Sequence, residues 1–210
     1  MNKLILLRHG QSQWNLENRF TGWKDISLSE KGIQEAINAG KLMNKHKISI
    51  DLIFSSVLQR ATETARLAIL EMNLKHLWNE KNELTMIKDQ ALNERDYGDL
   101  VGLNKQETAD KFGQEQVHIW RRSFDVSPPG GESLKNVLER VKPYFDIKIK
   151  SELKKQKNVL ISAHGNSLRA MMICVGLYKS EEISKIELPT GSPFVFLYEE
   201  NKLIKSEYLV

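Results

Sequence analysis

Short apolar runs recur along the chain, separated by longer stretches in which apolar residues follow helical spacing. We predict strands at the runs 3–7, 51–54, 159–163, 194–198 and 203–208, with a weaker one at 84–87. Strands that alternate with helices favour a largely parallel sheet, because right-handed crossovers place the helices on both of its faces. The pattern predicts an α/β fold: a three-layer sandwich with a mostly parallel central sheet flanked by helices.

Helix-start signals subdivide the stretches between these strands. Residues 27–30 have the spacing of a capping box, and residues 56–59 have a similar S-x-x-Q spacing. An apolar stripe over 134–153 predicts a longer helix, which Pro143 should kink because proline lacks the backbone donor.

The polar stretch 93–131 differs from the rest of the chain. It contains two short helical patterns, at 105–112 and 115–124, and ends in the turn-forming sequence SPPGG at 127–131. We therefore expect one domain over 1–210, with a lid subdomain at about 93–131.

Composition narrows the class of protein. Hydrophobic residues make up 40% and charged residues 28% of the 210 residues, which is typical of a globular chain. The apolar run before Arg8 is too short for a signal peptide, and the run 170–178 is too short for a membrane span. We expect a cytoplasmic protein that does not bind membranes. The single cysteine, Cys174, lies in an apolar helical run and is expected to be a core residue.

The net charge of +4 and the pI near 9.0 raise the question of nucleic-acid binding. The basic run 148–157 alternates with apolar residues at helical spacing, which favours a solvated helix end and no nucleic-acid partner. Other cations fit a small anionic substrate better: Arg8, Arg60, Lys105, Arg121 and Arg122. The sequence is also compatible with a homo-oligomer.

Two histidines follow predicted strands directly. His9 stands in an RHG tripeptide after the first strand, and His164 stands in HGN after the strand at 159–163. Open α/β sheets bind ligands beyond the carboxyl ends of their strands, so both side chains should reach one cleft. Gly10 and Gly165 would allow close backbone approach, and a helix start there would offer N–H donors to a phosphate. The other histidines (His46, His76 and His118) are interpreted as structural or surface residues.

Seven segments together carry a family resemblance. They are RHGQSQWN at 8–15, NRFTGW at 18–23, SSVLQRATET at 55–64, ERDYGDLVGLNK at 94–105, WRRSFDVSPP at 120–129, AHGNSLRA at 163–170 and LPTGSP at 188–193. The chain resembles the histidine phosphatase superfamily, and within it the 2,3-bisphosphoglycerate-dependent phosphoglycerate mutases. The segments at 18–23, 94–105 and 120–129 favour the mutases over the general phosphatases. The resemblance implies a phosphoglycerate mutase-like fold.

The resemblance also implies roles for individual residues. His9 would be the nucleophile that becomes a phosphohistidine, with 2,3-bisphosphoglycerate as the phosphoryl primer, and Glu94 would donate and accept the proton of the substrate hydroxyl. Burial would raise the pKa of Glu94, while nearby arginines would lower it. Arg8, Arg60 and His164 would neutralise the transferring phosphoryl group. Phosphoglycerate would also contact Asn15, Thr21, Gly22, Tyr97, Lys105, Arg121, Arg122, Gly165 and Asn166.

The sequence contains no HExxH motif and no clustered Cys/His spacing of a metal site, and it has no phosphate-binding GxxxxGK[ST] loop. We therefore expect no metal, with arginine and histidine supplying the positive charge. Without the family context, Glu94 would be interpreted as a salt-bridge partner of Arg95, and Arg121 and Arg122 as a solvated helix face.

Three features depart from the family pattern. Gln11 stands where the family usually has glutamate, only Gly130 and Gly131 separate Pro129 from Glu132, and the chain stops at Val210 without a polar tail. A shorter cover over the site would admit water. A phosphomonoesterase of the same superfamily is therefore the first alternative to a glycolytic and gluconeogenic mutase, and a non-catalytic phospholigand-binding protein is the second.

Overall fold

A six-stranded sheet forms the centre of the computed structural model, which describes all 210 residues. The strands are β1 (Asn2–Arg8), β2 (Leu52–Ser55), β3 (Ile87–Lys88), β4 (Val159–Ala163), β5 (Pro193–Glu199) and β6 (Lys202–Tyr208). Their order is β3-β2-β4-β1-β5-β6. The first four strands in this order are paired in parallel, whereas β5 is antiparallel to β1 and β6 is antiparallel to β5. The α/β fold with a mostly parallel central sheet is confirmed.

Nine α-helices accompany the sheet. They are α1 (Gln13–Leu16), α2 (Glu30–Lys45), α3 (Gln59–Met72), α4 (Lys105–Phe112), α5 (Gln114–Arg122), α6 (Leu134–Tyr144), α7 (Lys150–Lys154), α8 (Gly165–Cys174) and α9 (Ser180–Ile183). No helix is both long enough and apolar enough to cross a membrane.

The core lies on both faces of the sheet because successive side chains of a strand point in opposite directions. Leu4 and Leu6 of β1 join a cluster of 21 buried residues with α6 and α8, whereas Ile5 and Leu7 join a cluster of 14 with α2 and α3. Strand β1 is thus covered on both sides, which explains its continuous apolar sequence.

Two helices begin within the predicted segments, α2 at Glu30 and α3 at Gln59, but neither is capped as the spacing predicts. Helix α2 is capped by Ser29, whose hydroxyl accepts from the Gly32 N–H at 3.1 Å, so the capping box at 27–30 does not form. Helix α3 begins after Leu58 without a side-chain cap. Ser56 lies on the strand side of that turn, where its hydroxyl contacts His164 instead.

The apolar stripe at 134–153 forms one continuous helical stretch whose geometry changes after Pro143. Helix α6 is followed by a π-helical segment, Phe145–Ile149, and then by α7. Proline removes one backbone hydrogen bond, which accounts for the disturbed ladder at this point. The weak strand predicted at 84–87 is also displaced, because Leu84 pairs with Trp78 and only Ile87 enters the sheet.

The 93–131 segment contains α4 and α5, which nearly match the two helical patterns in the sequence. Four of its residues, Leu100, Ala109, Val117 and Trp120, form a small core of five buried residues together with Phe20. The segment is tied at its ends, because the Asp99 N–H donates to the Pro129 carbonyl at 2.9 Å and Glu132 N–H donates to Asp96 at 2.9 Å.

Candidate active site

The two strand-end histidines lie side by side. Strands β1 and β4 are paired in parallel with Arg8 opposite Ala163, and the His9 N–H donates to the Ala163 carbonyl at 3.0 Å. The next residue of each strand is therefore delivered to the same edge of the sheet. The ring centroids of His9 and His164 are 4.9 Å apart, as the topology predicts.

Gly10 is needed for helix packing and does not line the cleft. A Cβ added at Gly10 would lie 2.2 Å from the carbonyl oxygen of Gly32 at the start of α2. The close approach expected at this glycine is thus made by protein backbone, not by ligand. Gly165 does line the cleft, beside the guanidinium of Arg8.

His9 is held as a neutral ring with one defined tautomer. Its Nδ1 lies 2.7 Å from the Gly10 carbonyl, and since a carbonyl only accepts, Nδ1 carries the proton. Burial, followed by the charges of Arg60 and Arg8, lowers the pKa of His9 to about 3. The Nε2 lone pair is therefore free at neutral pH.

His164 is fully buried and contacts a residue that the sequence argument did not select. Its Nε2 lies 2.7 Å from the Ser56 hydroxyl, while its Nδ1 has no hydrogen-bond partner. Burial, with the charges of Arg60 and Arg8, holds the pKa of His164 well below that of an ordinary histidine. A neutral ring that accepts from Ser56 carries its proton on Nδ1.

Two arginines, Arg60 and Arg8, act electrostatically on both histidines. Arg60 of α3 is 1% exposed and donates to the Gly22 carbonyl at 2.8 Å and to the Lys24 carbonyl at 2.9 Å. Arg8 donates to the Leu188 carbonyl at 2.5 Å, and its Nε is buried without a partner. Backbone carbonyls thus orient both guanidinium groups. Neither guanidinium forms an ion pair with a carboxylate, so both keep their positive charge available for a ligand.

Glu94 is oriented through one of its two carboxylate oxygens. Oε1 accepts from the Arg95 N–H at 2.8 Å, from the Asn166 N–H at 3.1 Å and from Asn166 Nδ2 at 3.0 Å. Oε2 makes no hydrogen bond to protein. Burial raises the pKa of Glu94, but these hydrogen bonds and the charges of Arg8 and Arg60 outweigh it, so the pKa is lowered. Glu94 is thus a carboxylate in the ligand-free protein, and it is not the ion-pair partner of Arg95.

Arg140 and Trp23 hold the backbone of Glu94. The Glu94 carbonyl accepts from Trp23 Nε1 at 2.6 Å and from Arg140 Nη2 at 2.9 Å, and Arg140 forms a two-pronged ion pair with Glu132 at 2.9 Å. Because Glu132 also accepts from the Asp96 N–H, this network joins α6 to the start of the 93–131 segment.

A strongly polar cleft of about 180 Å³ joins these groups to the 93–131 segment. Every residue with a predicted catalytic or binding role except the fully buried His164 contributes to its lining. The cleft is lined by Arg8, His9, Asn15, Arg19, Phe20, Thr21, Gly22, Arg60, Glu94, Tyr97, Lys105, Arg121, Arg122, Gly165, Asn166, Arg169 and Glu187.

The 93–131 segment contributes three cations, Lys105, Arg121 and Arg122, to the lining of the cleft. The Lys105 Nζ lies 5.9 Å from the Phe20 ring, and burial lowers the pKa of Lys105. The Tyr97 hydroxyl accepts from Arg95, which also donates to the Arg121 carbonyl at 2.9 Å. Thr21 adds a buried hydroxyl without a protein partner.

The sequence argument missed Arg19, Arg169, Glu187 and Ser56. Arg169 stands four residues after Gly165, so helical spacing places both on one face of α8. Ser56 follows β2, a neighbour of β4, and the strand-end rule applies to it as well. Nothing in the sequence around Glu187 indicates that its carboxylate reaches the cleft.

One cluster has the composition of a metal site. The nearest donor atoms of His9, Glu94 and His164 all lie within 4.8 Å of one another. Arg8 and Arg60 act on the same three groups, and their charges oppose a bound cation. The cluster fits an anion better than a metal ion.

Sequence comparison identifies relatives over nearly the whole chain. A family model described as histidine phosphatase superfamily (branch 1) matches residues 4–208. A protein of Parvibaculum lavamentivorans is 44% identical over 210 residues, covering 100% of this chain and 97% of its own. One of Azorhizobium caulinodans is 49% identical over 193 residues, covering 92% and 90%. Both are named 2,3-bisphosphoglycerate-dependent phosphoglycerate mutase.

Solved structures show the same fold at lower identity. A mycobacterial glucosyl-3-phosphoglycerate phosphatase has a TM-score of 0.79 at 24% identity, covering 100% of this chain and 98% of that one. A phosphoserine phosphatase variant from Entamoeba histolytica has a TM-score of 0.74 at 19% identity, covering 100% and 97%. At these identities the likeness establishes the architecture alone.

Proposed function

The chain belongs to the histidine phosphatase superfamily, and we propose that it interconverts 3-phosphoglycerate and 2-phosphoglycerate through a phosphohistidine at His9, primed by 2,3-bisphosphoglycerate. The observation that carries the proposal is the pairing of a buried nucleophile with a second group of cations across one cleft. A phosphatase needs to bind one phosphoryl group, whereas a mutase must also hold a carboxylate and a second phosphate.

The charge of the cleft matches such a ligand. Seven cations line it, at Arg8, Arg19, Arg60, Lys105, Arg121, Arg122 and Arg169, against the carboxylates of Glu94 and Glu187. A small ligand with two or three anionic groups would neutralise this excess, and an uncharged or singly charged ligand would not.

The neutral ring of His9 can begin phosphoryl transfer directly. Nε2 attacks the phosphorus of 2,3-bisphosphoglycerate, forming an N–P bond, and the electron pair of the broken P–O bond passes to the leaving oxygen. The hydrogen bond from Nδ1 to the Gly10 carbonyl stabilises the positive charge that develops on the ring. Reversal with the other hydroxyl as acceptor completes the isomerisation.

Glu94 moves the proton that each transfer requires. As a carboxylate, its free Oε2 accepts the proton of the hydroxyl that attacks phosphohistidine; once protonated, it returns a proton to the leaving oxygen in the reverse step. A bound phosphoryl group offsets the charges of Arg8 and Arg60, and this raises the pKa of Glu94 toward the range in which it can also act as an acid.

The transferring phosphoryl group would be held by charged and neutral donors. Arg8 and Arg60 neutralise its oxygens, and the neutral His164, whose Nδ1 has no protein partner, adds a neutral hydrogen bond, as do Asn15 and Asn166. The rest of the substrate would contact Thr21, Gly22, Tyr97, Lys105, Arg121, Arg122 and Gly165. In this proposal the 93–131 segment is a lid of the single domain.

The short loop at Gly130 and Gly131 suggested a phosphatase as the alternative. Relatives from Bartonella henselae and Mesorhizobium japonicum, of which this chain covers 97% and 96%, carry the mutase name. A chain of this size is therefore compatible with a mutase. The proposal also includes a cytoplasmic location, small phosphoglycerates as the ligands, no resident metal and no nucleic-acid partner.

The decisive experiment follows 2-phosphoglycerate and inorganic phosphate together. The protein receives 3-phosphoglycerate, a trace of 2,3-bisphosphoglycerate and excess EDTA. We expect 2-phosphoglycerate to form only when the bisphosphate is present, with little free phosphate. Phosphate release without isomerisation would identify a phosphatase, and loss of activity in EDTA would contradict the metal-free mechanism.

A pair of lysine variants on α4 tests the substrate contacts. Lys105 lines the cleft, whereas Lys111 is exposed on the same helix and does not. Lys105→Met should raise the KM for 3-phosphoglycerate by about 10- to 100-fold, because a charge-assisted hydrogen bond is lost. Lys111→Met should leave it unchanged. Equal effects of the two substitutions would mean that Lys105 acts only through net charge.

A further inference from the structure

Glu187 places a carboxylate at the edge of a cleft that is otherwise built to bind anions. It lies between α9 and β5, and its side chain is 64% exposed. Its Oε1 is 2.5 Å from Arg122 Nη2, and its Oε2 is 3.7 Å from Arg169 Nη2. The reaction described above gives this residue no role.

The two arginines that Glu187 bridges belong to different parts of the molecule. Arg122 ends α5 in the 93–131 segment, and Arg169 lies in α8, where it is 8% exposed and donates to the Ile186 carbonyl at 2.8 Å. Neither arginine has an ion pair with any other carboxylate. Glu187 therefore connects the segment to the core through charges that also face the cleft.

This connection is well suited to being broken. An ion pair with an exposed carboxylate is screened by water and is weak, so an anionic ligand can compete with it. Space for the displaced side chain exists, because Glu187 also lines an outer groove of about 530 Å³ that is bounded by His118, Ser184 and Lys185. The carboxylate thus stands at the boundary between the catalytic cleft and this groove.

We propose that Glu187 is a positioning residue that acts as a displaceable internal anion. In the ligand-free enzyme its carboxylate links Arg122 to Arg169. When the ligand binds, the second anionic group of the ligand displaces Glu187 from these arginines. The inference rests on the proposed function for the identity of that ligand. Glu187 then holds the 93–131 segment near its working position before binding and limits the affinity for phosphoglycerate. Release of the product is faster as a consequence.

Calorimetric binding tests the competition directly. Glu187→Gln keeps the size of the side chain and removes its charge, and Glu181→Gln is the matched control on an exposed glutamate that does not line the cleft. We expect Glu187→Gln to bind 3-phosphoglycerate roughly two- to fivefold more tightly, in line with the weakness of exposed ion pairs. The affinity for inorganic phosphate, which has no second anionic group, should stay the same.

Amide hydrogen exchange in the ligand-free protein provides the second measurement. Exchange over 114–122 should be faster in Glu187→Gln, because the link to Arg169 is lost, and saturating 3-phosphoglycerate should remove the difference. In turnover, KM should fall, with kcat unchanged or lower. Three outcomes would overturn the proposal. Weaker binding of 3-phosphoglycerate by Glu187→Gln would show that Glu187 only supports the structure, and an unchanged affinity would show that it has no role in binding. An equal gain in affinity for inorganic phosphate would show a general effect of net charge.

These outcomes are separable from the fate of the proposed function. If the wild-type protein binds 3-phosphoglycerate but does not isomerise it, the mutase proposal fails while the affinity and exchange measurements still decide the role of Glu187. If isomerisation is seen and Glu187→Gln behaves like Glu181→Gln, the inference about Glu187 fails alone.

Discussion

The strand-end side of the cleft and the 93–131 segment hold their functional side chains in different ways. His9, Arg60 and His164 are 2%, 1% and 0% exposed. The two histidines follow β1 and β4 and Arg60 lies in α3, and these three elements are packed into clusters of 21 and 14 buried residues. Arg121 is exposed, and the core of its segment has five buried residues. The proposed nucleophile and the groups proposed to bind the phosphoryl group are thus fixed by the main core, whereas the proposed substrate contacts lie on a lightly packed element.

This difference separates two requirements of phosphoryl transfer. Bond making tolerates little misplacement, so its groups belong on rigid elements. Substrate entry and exit require movement, which is found where few apolar contacts are made. Substitutions on the strand-end side should therefore change kcat, and substitutions in the segment should change KM.

The largest expected effect is on Glu94, which begins the segment but is anchored to α8. Glu94→Gln keeps an oxygen for the two donors of Asn166 and removes the proton carrier. We expect kcat for isomerisation to fall by about 10²- to 10⁴-fold, the usual contribution of general acid–base catalysis, with KM little changed. Steady-state kinetics with both substrates measure this.

Glu107→Gln is the matched control, since Glu107 is an exposed glutamate on α4 that does not line the cleft. A Glu94→Gln variant that loses affinity but retains kcat would place Glu94 with the substrate contacts. The boundary between groups that affect kcat and groups that affect KM would then lie nearer to the strand ends than we describe.

The two strand-end histidines could be predicted from the sequence because each one follows a recognisable strand. RHG and HGN are local patterns, and the pairing of β1 with β4 needs only the rule that parallel strands share a carboxyl edge. Gly10 shows where this reasoning is incomplete: a small residue was expected, but the close contact is to Gly32, which no local pattern indicates.

The site residues of the 93–131 segment were assigned from the family resemblance, and two residues that the sequence argument missed depend on contacts between distant parts of the chain. Glu187 reaches the cleft only because the loop before β5 lies against Arg122, 65 residues earlier. Ser56 was assigned to a helix start because S-x-x-Q is a local signal, whereas its contact with His164 spans 108 residues. Long-range polar contacts leave no periodic pattern in a sequence.

Two core substitutions should distinguish the packing of the two regions. Ile161→Ala in β4 removes a fully buried side chain from the largest cluster and should lower the free energy of unfolding by about 2–5 kcal/mol. Trp120→Ala acts on the small core of the 93–131 segment, so it should raise KM and leave the main unfolding transition nearly unchanged. Urea unfolding and kinetics measure both; equal destabilisation would mean that the segment and the sheet unfold as one unit.

The smallest expected effect is the pH dependence of stability that the buried ring of His9 causes. The pKa of His9 is about 3 in the folded protein and near 6.5 when unfolded, so the unfolded chain binds the proton more tightly. The stability contributed by the neutral ring is complete above pH 6.5 and is lost as the pH falls toward 3, at roughly 1 kcal/mol per pH unit. The difference in unfolding free energy between wild type and His9→Gln should therefore change with this slope between pH 6 and pH 4.

His118→Gln removes an exposed histidine as the control. If unfolding free energy plotted against pH gave parallel curves for wild type and His9→Gln, the ring would be protonated in the folded protein. The strand-end side of the cleft would then be more hydrated and less rigid than its burial indicates.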